Sequence, residues 1–391
     1  MRCFMKPDFL TEAETLSREI NTLRETIHRR PELGNREFET AALIEKTLRS
    51  CGVETTRLLD TAVVGTLRGG LPGKTAALRA DMDALPVTEA TGCAFASETP
   101  GVTHACGHDV HVAAALGAAK LLSAHRDALR GEIKFFFQPD EEGSGGARRM
   151  IDAGCMEGVS AVFGCHVSPV LPTGTAGVRY GKFYAASDVF TVTVTGKSAH
   201  GAEREKGIDA LGAAAEMVTA LLNLPAGILP ERTVLSVGTF AAGTAENVLA
   251  DRAEFRGILR TLGPAARRRM KRRMAQTLEA IADKSGATVD LRIRESYGGV
   301  VNTDAETRLV RSAAEALLGA ENVQVLESPT MTTEDFGCFI DAAGAGCYYH
   351  VGAGCAAPLH APDFLPDGRA AVTAAALHAA VLWDFFRVET H

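Results

Sequence analysis

The chain has 391 residues, 46% of them hydrophobic, which at roughly 150 residues per domain predicts two or three domains with ample core. Forty-eight acidic residues against 41 basic ones leave a net charge of -7, which excludes a nucleic-acid binder resting on a basic footprint. No uncharged apolar run approaches the roughly 18 residues of a membrane span, the start MRCFMKPDFLTEAETL lacks a secretory apolar core, and nine cysteines without framework spacing predict free thiols in the cytoplasm.

Residues 11–51 read as two helices around HRRPELGNREFE, where Pro31 and Gly34 break the pattern. Three apolar strand-like runs follow, each with polar residues at its downstream end. Ala76 to Ala80 leads to Asp81 and Asp83, Ile133 to Gln138 to Glu141 and Glu142, and Ala161 to Cys165 to His166. Helical segments near 110–124 and 146–153 separate them. Continuous apolar strands alternating with helices predict an α/β domain with a buried, mostly parallel sheet, whose sites gather at the carboxyl ends of its strands.

From about residue 184 the texture changes. Val189 to Val194 alternates as a half-exposed antiparallel strand does, GIDALGAAAEMVTALLNL is an amphipathic helix, and TVLSVGTFAAG and ADRAEFRGILRT are further strands. PAARRRMKRRMAQTLEAIADKSG is a second helix ending at Gly286, and TVDLRIRESY closes the set. Its basic run, Arg267 to Arg273, reads as the solvated face of that helix. This is an α+β module inserted at 184–297 into a domain formed by 1–183 and 298–391, with one sheet face free for pairing. Helices are expected at 304–318 and 369–386.

The densest chemistry lies in HACGHDVHV, His104 to Val112. Its cysteine and histidines cannot share one helix face, so Cys106 and His108 are expected on a turn facing one cavity, with Asp109 capping the next helix. Glu141 and Glu142 leave the buried strand FFFQ together, so one can bind metal while its neighbour acts as a general base; two surface carboxylates in a loop is the plainer alternative. His166 and His360 would singly pass for ordinary core or loop histidines. With Cys106, His108 and one glutamate they make five ligands, enough for two transition ions sharing a water.

In order along the chain stand HRRPELGNREFET, LRADMDALPV, HACGHDVHVA, FFFQPDEEGSGGA, GCHVSP, GKSAHGA, GTAENVLAD, TTEDFGCF and LHAPDF. With these nine motifs the chain resembles the M20 metallopeptidases, in particular the amidohydrolase branch of aminoacylases, hippurate hydrolases and indole-acetyl-amino-acid hydrolases. The resemblance implies a zinc-exopeptidase-like catalytic domain and a ferredoxin-like lid that dimerises. It implies that Cys106, His108, Glu142, His166 and His360 hold two divalent ions, zinc or manganese, with Glu141 as general base and Asp83 orienting a metal-bound histidine. His200 matches the histidine that reaches the partner's active site in a homodimer, and Asn247 and Arg260 match positions that grip the substrate carboxylate.

Three stretches depart from the family pattern. AHGAEREKG has Arg204 where relatives usually carry proline, Ala242 and Gly243 replace a double glycine, and FLPDGRA follows LHAPD. None removes a ligand. The expected activity is metal-dependent cleavage of N-acyl amino acids, such as N-acetyl or N-benzoyl compounds. A dipeptidase or aminobenzoyl-glutamate-type hydrolase on the same scaffold is the alternative, and a silent metal- or metabolite-binding dimer the third reading.

Overall fold

The computed structural model describes residues 6–224 and 232–387; residues 1–5, which open the stretch read above as non-secretory and include Cys3, lie outside them. The strands in chain order are β1 (Glu54–Leu58), β2 (Ala62–Arg68), β3 (Leu71–Asp81), β4 (Arg130–Gln138), β5 (Val159–Ser168), β6 (Ala176–Val178), β7 (Gly181–Tyr184), β8 (Ala186–Thr195), β9 (Thr233–Ala242), β10 (Arg252–Thr261), β11 (Thr288–Glu295), β12 (Val300–Asn302), β13 (Val323–Val325) and β14 (Gly346–Gly352). The helices are α1 (Phe9–Thr15), α2 (Ser17–Arg29), α3 (Phe38–Ser50), α4 (His108–Ala124), α5 (Gly146–Asp152), α6 (Ala210–Asn223), α7 (Pro264–Ser285), α8 (Asp304–Leu318), α9 (Gly337–Ala343) and α10 (Gly368–Phe385). Two compact units result: 1–181 with 301–328 and 335–391, and 182–300 with 329–334. The hydrogen bonds of Ala185 to Thr332 and of Thr330 to Phe183 tie the short 329–334 segment to the second unit.

The first unit holds an eight-stranded sheet ordered β1-β2-β4-β3-β5-β14-β6-β13. Strands β4, β3, β5 and β14 run parallel, β1 and β2 pair antiparallel to their neighbours, and β6 runs antiparallel to β14 but parallel to β13. Parallel strands are buried on both faces, which is why FFFQ and VFGC read as unbroken apolar runs. Helices α4 and α10 are apolar on nearly every side, as buried helices are, and both contribute to the core. Because β3, β4 and β5 point the same way, their polar downstream ends meet at one edge of the sheet.

The second unit runs β8-α6-β9-β10-α7-β11, a βαββαβ order, with its antiparallel sheet ordered β11-β8-β10-β9. Phe190, Val192, Phe255 and Leu259 of the strands pack with Met217, Leu221, Met270 and Leu278 of the helices in one core. The two edges of this sheet differ. Strand β11 carries Asp290, Arg292, Arg294 and Glu295, whereas β9, TVLSVGTFAA, has no charged residue. Helix α7 ends at Gly286, left-handed at φ 74°. Its basic run is not wholly solvated: Arg267 donates to both carboxylate oxygens of buried Asp188 at 2.8 Å, and Lys271 lies 2.9 Å from it, because a buried carboxylate needs cations.

Several elements differ from the sequence reading. The described residues up to 51 form three helices where two were expected over 11–51, and β3, β4 and β5 start earlier than expected. Among the described residues eight cysteines are free thiols, and no helix is long and apolar enough to cross a membrane.

Candidate metal centre

The turn before α4 sets the site. Gly107 stands at φ 85°, where a side chain is strained, and a Cβ there would lie 2.5 Å from Val167 Cγ2. Cys106 thus sits on the turn and His108 opens the helix. Asp109 does not cap α4, contrary to the expectation: Gly107 is the capping residue. Asp109 is fully buried in the first helical turn, where one of its oxygens accepts from Arg24 Nε at 3.1 Å and lies 2.9 Å from His28 Nδ1. A buried charge is stabilised more by Arg24 than by an exposed cap bond, and an acid in a first turn also suits the helix dipole. Gly107→Ala should cost about 1–3 kcal/mol and weaken metal retention, since strain and overpacking fall between Cys106 and His108. Thermal melts and metal analysis after dialysis would check it, and unchanged values of both would refute it.

Around this turn the residues at the strand ends converge. Cys106, His108 and His166 form one cluster of donor atoms within 4.8 Å of one another; Cys106, Glu142 and His360 form a second; His108, Glu141 and Glu142 a third. Cys106 Sγ is 3.3 Å from His166 Nε2, and His360 Nε2 is 3.1 Å from Glu142 Oε1. Each imidazole is oriented from behind. His166 Nδ1 donates to the Val167 carbonyl at 2.7 Å and His108 Nδ1 to the Asp83 carbonyl at 2.8 Å, so the Nε2 atoms of both rings are left for the cluster. His108 Nε2 is buried without a hydrogen-bond partner, an arrangement that costs free energy unless a cation occupies the cluster. The donor set, a thiolate, imidazoles and carboxylates, fits divalent transition ions.

Asp83 lies against both ligand-bearing segments: its Oδ1 is 3.3 Å from His108 Nδ1 and its Oδ2 accepts the Glu142 N–H at 3.0 Å. His360 takes a left-handed φ of 68°, unusual for a residue with a side chain, and is anchored by its N–H to the Ala105 carbonyl at 2.8 Å.

Burial, and then the charges of Glu142 and Glu141, push the Cys106 thiol well above its ordinary range. Burial, and then nearby His111, keep His166 neutral, the form that ligates metal. Burial alone would lower His108, but Asp81, Asp83 and Glu142 override it and raise the imidazole to about 10. Burial would likewise raise Glu142, whereas hydrogen bonding from His360 and the charge of His108 hold it low. The carboxylates thus create a field that favours cations.

Two supports escaped the sequence reading. His111 donates from Nδ1 to Asp81 Oδ1 at 2.5 Å and accepts the Val167 N–H at Nε2, 2.9 Å away, fixing the backbone beside His166. Arg79, wholly buried, binds Asp81 Oδ2 at 2.6 Å, Asp335 Oδ1 at 3.0 Å and Gln138 Oε1 at 2.8 Å. An arginine inside the strand ALRAD was the available signal, because a buried guanidinium demands carboxylates.

His200, Asn247 and Arg260 belong to the second unit. His200 and Asn247 are neighbours there: Gly201 N–H donates to the Asn247 carbonyl at 2.8 Å, and His200 forms a bridge with Val248. His200 Nδ1 accepts the Ala202 N–H at 3.1 Å, which puts the ring proton on Nε2. Arg260, on β10, gives one hydrogen bond to the Met331 carbonyl at 2.8 Å. Arg204, in the proline position, pairs with Asp209 at 3.1 Å, and Asp209 caps α6, so an ion pair tethers the turn that relatives stiffen with proline.

A family model described as peptidase family M20/M25/M40 matches residues 77–383. The chain belongs to that family. Similar proteins include thermostable carboxypeptidase 1 of Saccharolobus solfataricus, 38% identical over 94% of this chain and 95% of the relative. An N-acyl-L-amino acid amidohydrolase of Geobacillus stearothermophilus is 42% identical over 72% of this chain and 77% of the relative. An N-acetyl-L-cysteine deacetylase of Bacillus subtilis is 36% identical over 84% and 79%. Among solved structures, a dinuclear metal binding peptidase of the M20 family from Bacillus subtilis superposes with a TM-score of 0.87 at 32% identity, covering 96% of this chain and 100% of that one. As an M20 protein the chain is a metal-binding hydrolase with a mixed α/β fold.

Proposed function

We propose that the enzyme is an N-acyl amino acid amidohydrolase, releasing a carboxylic acid and the free amino acid. The observation that carries this is the pair of donor clusters sharing Cys106, with Glu141 against them, in a chain 42% identical to an amidohydrolase of that specificity. The two clusters suit two divalent ions, zinc or manganese, held by Cys106, His108, Glu142, His166 and His360; when bound they supply Lewis acidity and lower the pKa of water. Glu141, buried beside His108 and Glu142, takes the proton of the attacking water and returns it to the leaving amine. Asp83 fixes His108 and the Glu142 backbone. His200 of the partner subunit donates its Nε2–H to the oxyanion, a role its tautomer supports. Asn247 and Arg260 bind the substrate carboxylate, for which the unused arm of the guanidinium fork is suited.

The homodimer this requires is supported by the uncharged β9 edge and by Leu211, Leu222 and Phe240, each 44–47% exposed in the second unit. We place the inserted lid at 184–297, and the free thiols fit the cytoplasm. A peptidase reading has its own support in the carboxypeptidase relative. Both substrate classes present the same bond, an amide whose nitrogen belongs to a residue with a free carboxylate.

Amine release from N-acetyl, N-benzoyl and indole-acetyl amino acids and from dipeptides, using chelated protein reloaded with zinc or manganese, tests the assignment. Metal-dependent turnover concentrated in one acyl class is expected. Exclusive turnover of dipeptides would select the peptidase reading, and inactivity on every member with both ions would favour the silent binding dimer.

A further inference from the structure

The loop that carries Glu141 and Glu142 is pinned from two sides. Downstream, Asp83 Oδ2 accepts the Glu142 N–H at 3.0 Å. Upstream, Oε1 of Glu37 accepts the Asp140 N–H at 3.0 Å and the Asn35 N–H at 3.0 Å, while its Oε2 accepts the Thr61 hydroxyl at 2.8 Å. Glu37 is fully buried, immediately before α3, and more than a hundred residues away in the chain. Asp140 itself is held at a left-handed φ of 57°, and its Oδ2 accepts the Asn35 side-chain amide at 2.7 Å and the Ser144 N–H at 3.2 Å. Packing is closed on this side, since a Cβ on Gly34 or Gly143 would lie 2.2 Å from Asp140 Oδ1.

We propose that Glu37 is a positioning residue for catalysis: through the Asp140 N–H it fixes the backbone from which the general base Glu141 projects. This rests on the assignment of Glu141 as the base. A buried carboxylate is an expensive way to hold a loop, and it persists where several N–H groups have no other acceptor. Burial, with the charge of Asp83 adding to it, pushes Glu37 up to about 7 against the lowering effect of its hydrogen bonds. Both protonation states serve, because the protonated Oε2 can donate to Thr61 in place of accepting. What matters is an acceptor at the reach of a glutamate, so shape rather than charge is the functional property.

The predicted signature follows from that distinction. Glu37→Gln keeps an oxygen for the two N–H groups and an N–H for Thr61. Glu37→Asp keeps the charge but withdraws it by one methylene, and Glu37→Ala removes the acceptor. Steady-state kinetics and metal content of the three holoenzymes, measured beside Glu141→Gln, form the test. Glu37→Gln should stay within about 3-fold of the parent kcat, while Glu37→Asp and Glu37→Ala should lose about 10- to 100-fold in kcat at unchanged KM and metal content. If Glu37→Ala does not fold, the Gln and Asp variants decide alone. Full kcat in Glu37→Asp, equal loss in Glu37→Gln and Glu37→Asp, or loss through KM or metal content would overturn the proposal. Should Glu141→Gln keep its rate, the base assignment fails instead, whatever the Glu37 variants do.

Discussion

Glu141→Gln should leave the folded, metal-loaded protein with kcat lowered by about 10³-fold or more. The change is isosteric at a buried position, so packing survives. An amide cannot take up a proton, and general-base removal alone accounts for about 10²–10⁴-fold. Because the five assigned ligands are untouched, metal content should match the parent. Metal analysis beside amine-release kinetics separates the two effects. Loss of metal together with rate would make Glu141 a ligand, and a fully retained rate would remove it from the chemistry.

The largest effect on stability is expected at Arg79. Its guanidinium is wholly buried and bridges two carboxylates, Asp81 and Asp335, with Gln138 bonded to both Arg79 and Asp335. Arg79→Met preserves volume but strands both acids without their cation. Removing one partner of a buried ion pair costs about 3–5 kcal/mol, because the remaining charge is uncompensated. Arg79→Lys should recover only part of this, since an ammonium cannot reproduce a planar fork that reaches two acids and an amide at once. Denaturant melts at pH 7 measure both. Asp81 also accepts from His111, so Arg79→Met is expected to loosen the backbone at Val167 and lower metal retention as well. A melt within 1 kcal/mol of the parent would show that the acids had found another partner.

The parts of the fold legible in the sequence were those governed by a single period or a long apolar run. FFFQ, AALRA and AVFGC could only be buried strands, and the helical faces of α6 and α7 were plain. Strand β14, GCYYHVG, escaped because its histidine and paired tyrosines mask a wholly interior strand between β5 and β6. Strand β1 escaped because ETTRL is a half-exposed edge with no apolar run, and β2 because its apolar run AVVG is short and followed by the polar end TLR. At the site, the ligand types clustered at His104 to His111 and at Glu141 and Glu142 were conspicuous, since cysteine, histidine and paired acids at strand ends are costly without a task. Their supports were not. Glu37 looks like a surface charge in a string of letters, and although Arg79 stands inside a buried strand, only tertiary contact shows which partners answer each of them. Asp109 illustrates the same limit: helix-start statistics favour a cap, but the approach of Arg24 from α2 makes it an interior anion.

The unequal edges of the second sheet carry one more consequence. Any exposed strand border invites addition of another strand, and a molecule with two such borders can grow without end. Here Asp290, Arg292, Arg294 and Glu295 discourage addition along β11, a deterrent that the uncharged β9 lacks. A surface that can join only like to like, on one side, is used up by the first encounter. If two copies pair β9 against β9 in the dimer proposed above, association would close at two, and the charges on β11 would act as a chain terminator against fibre growth.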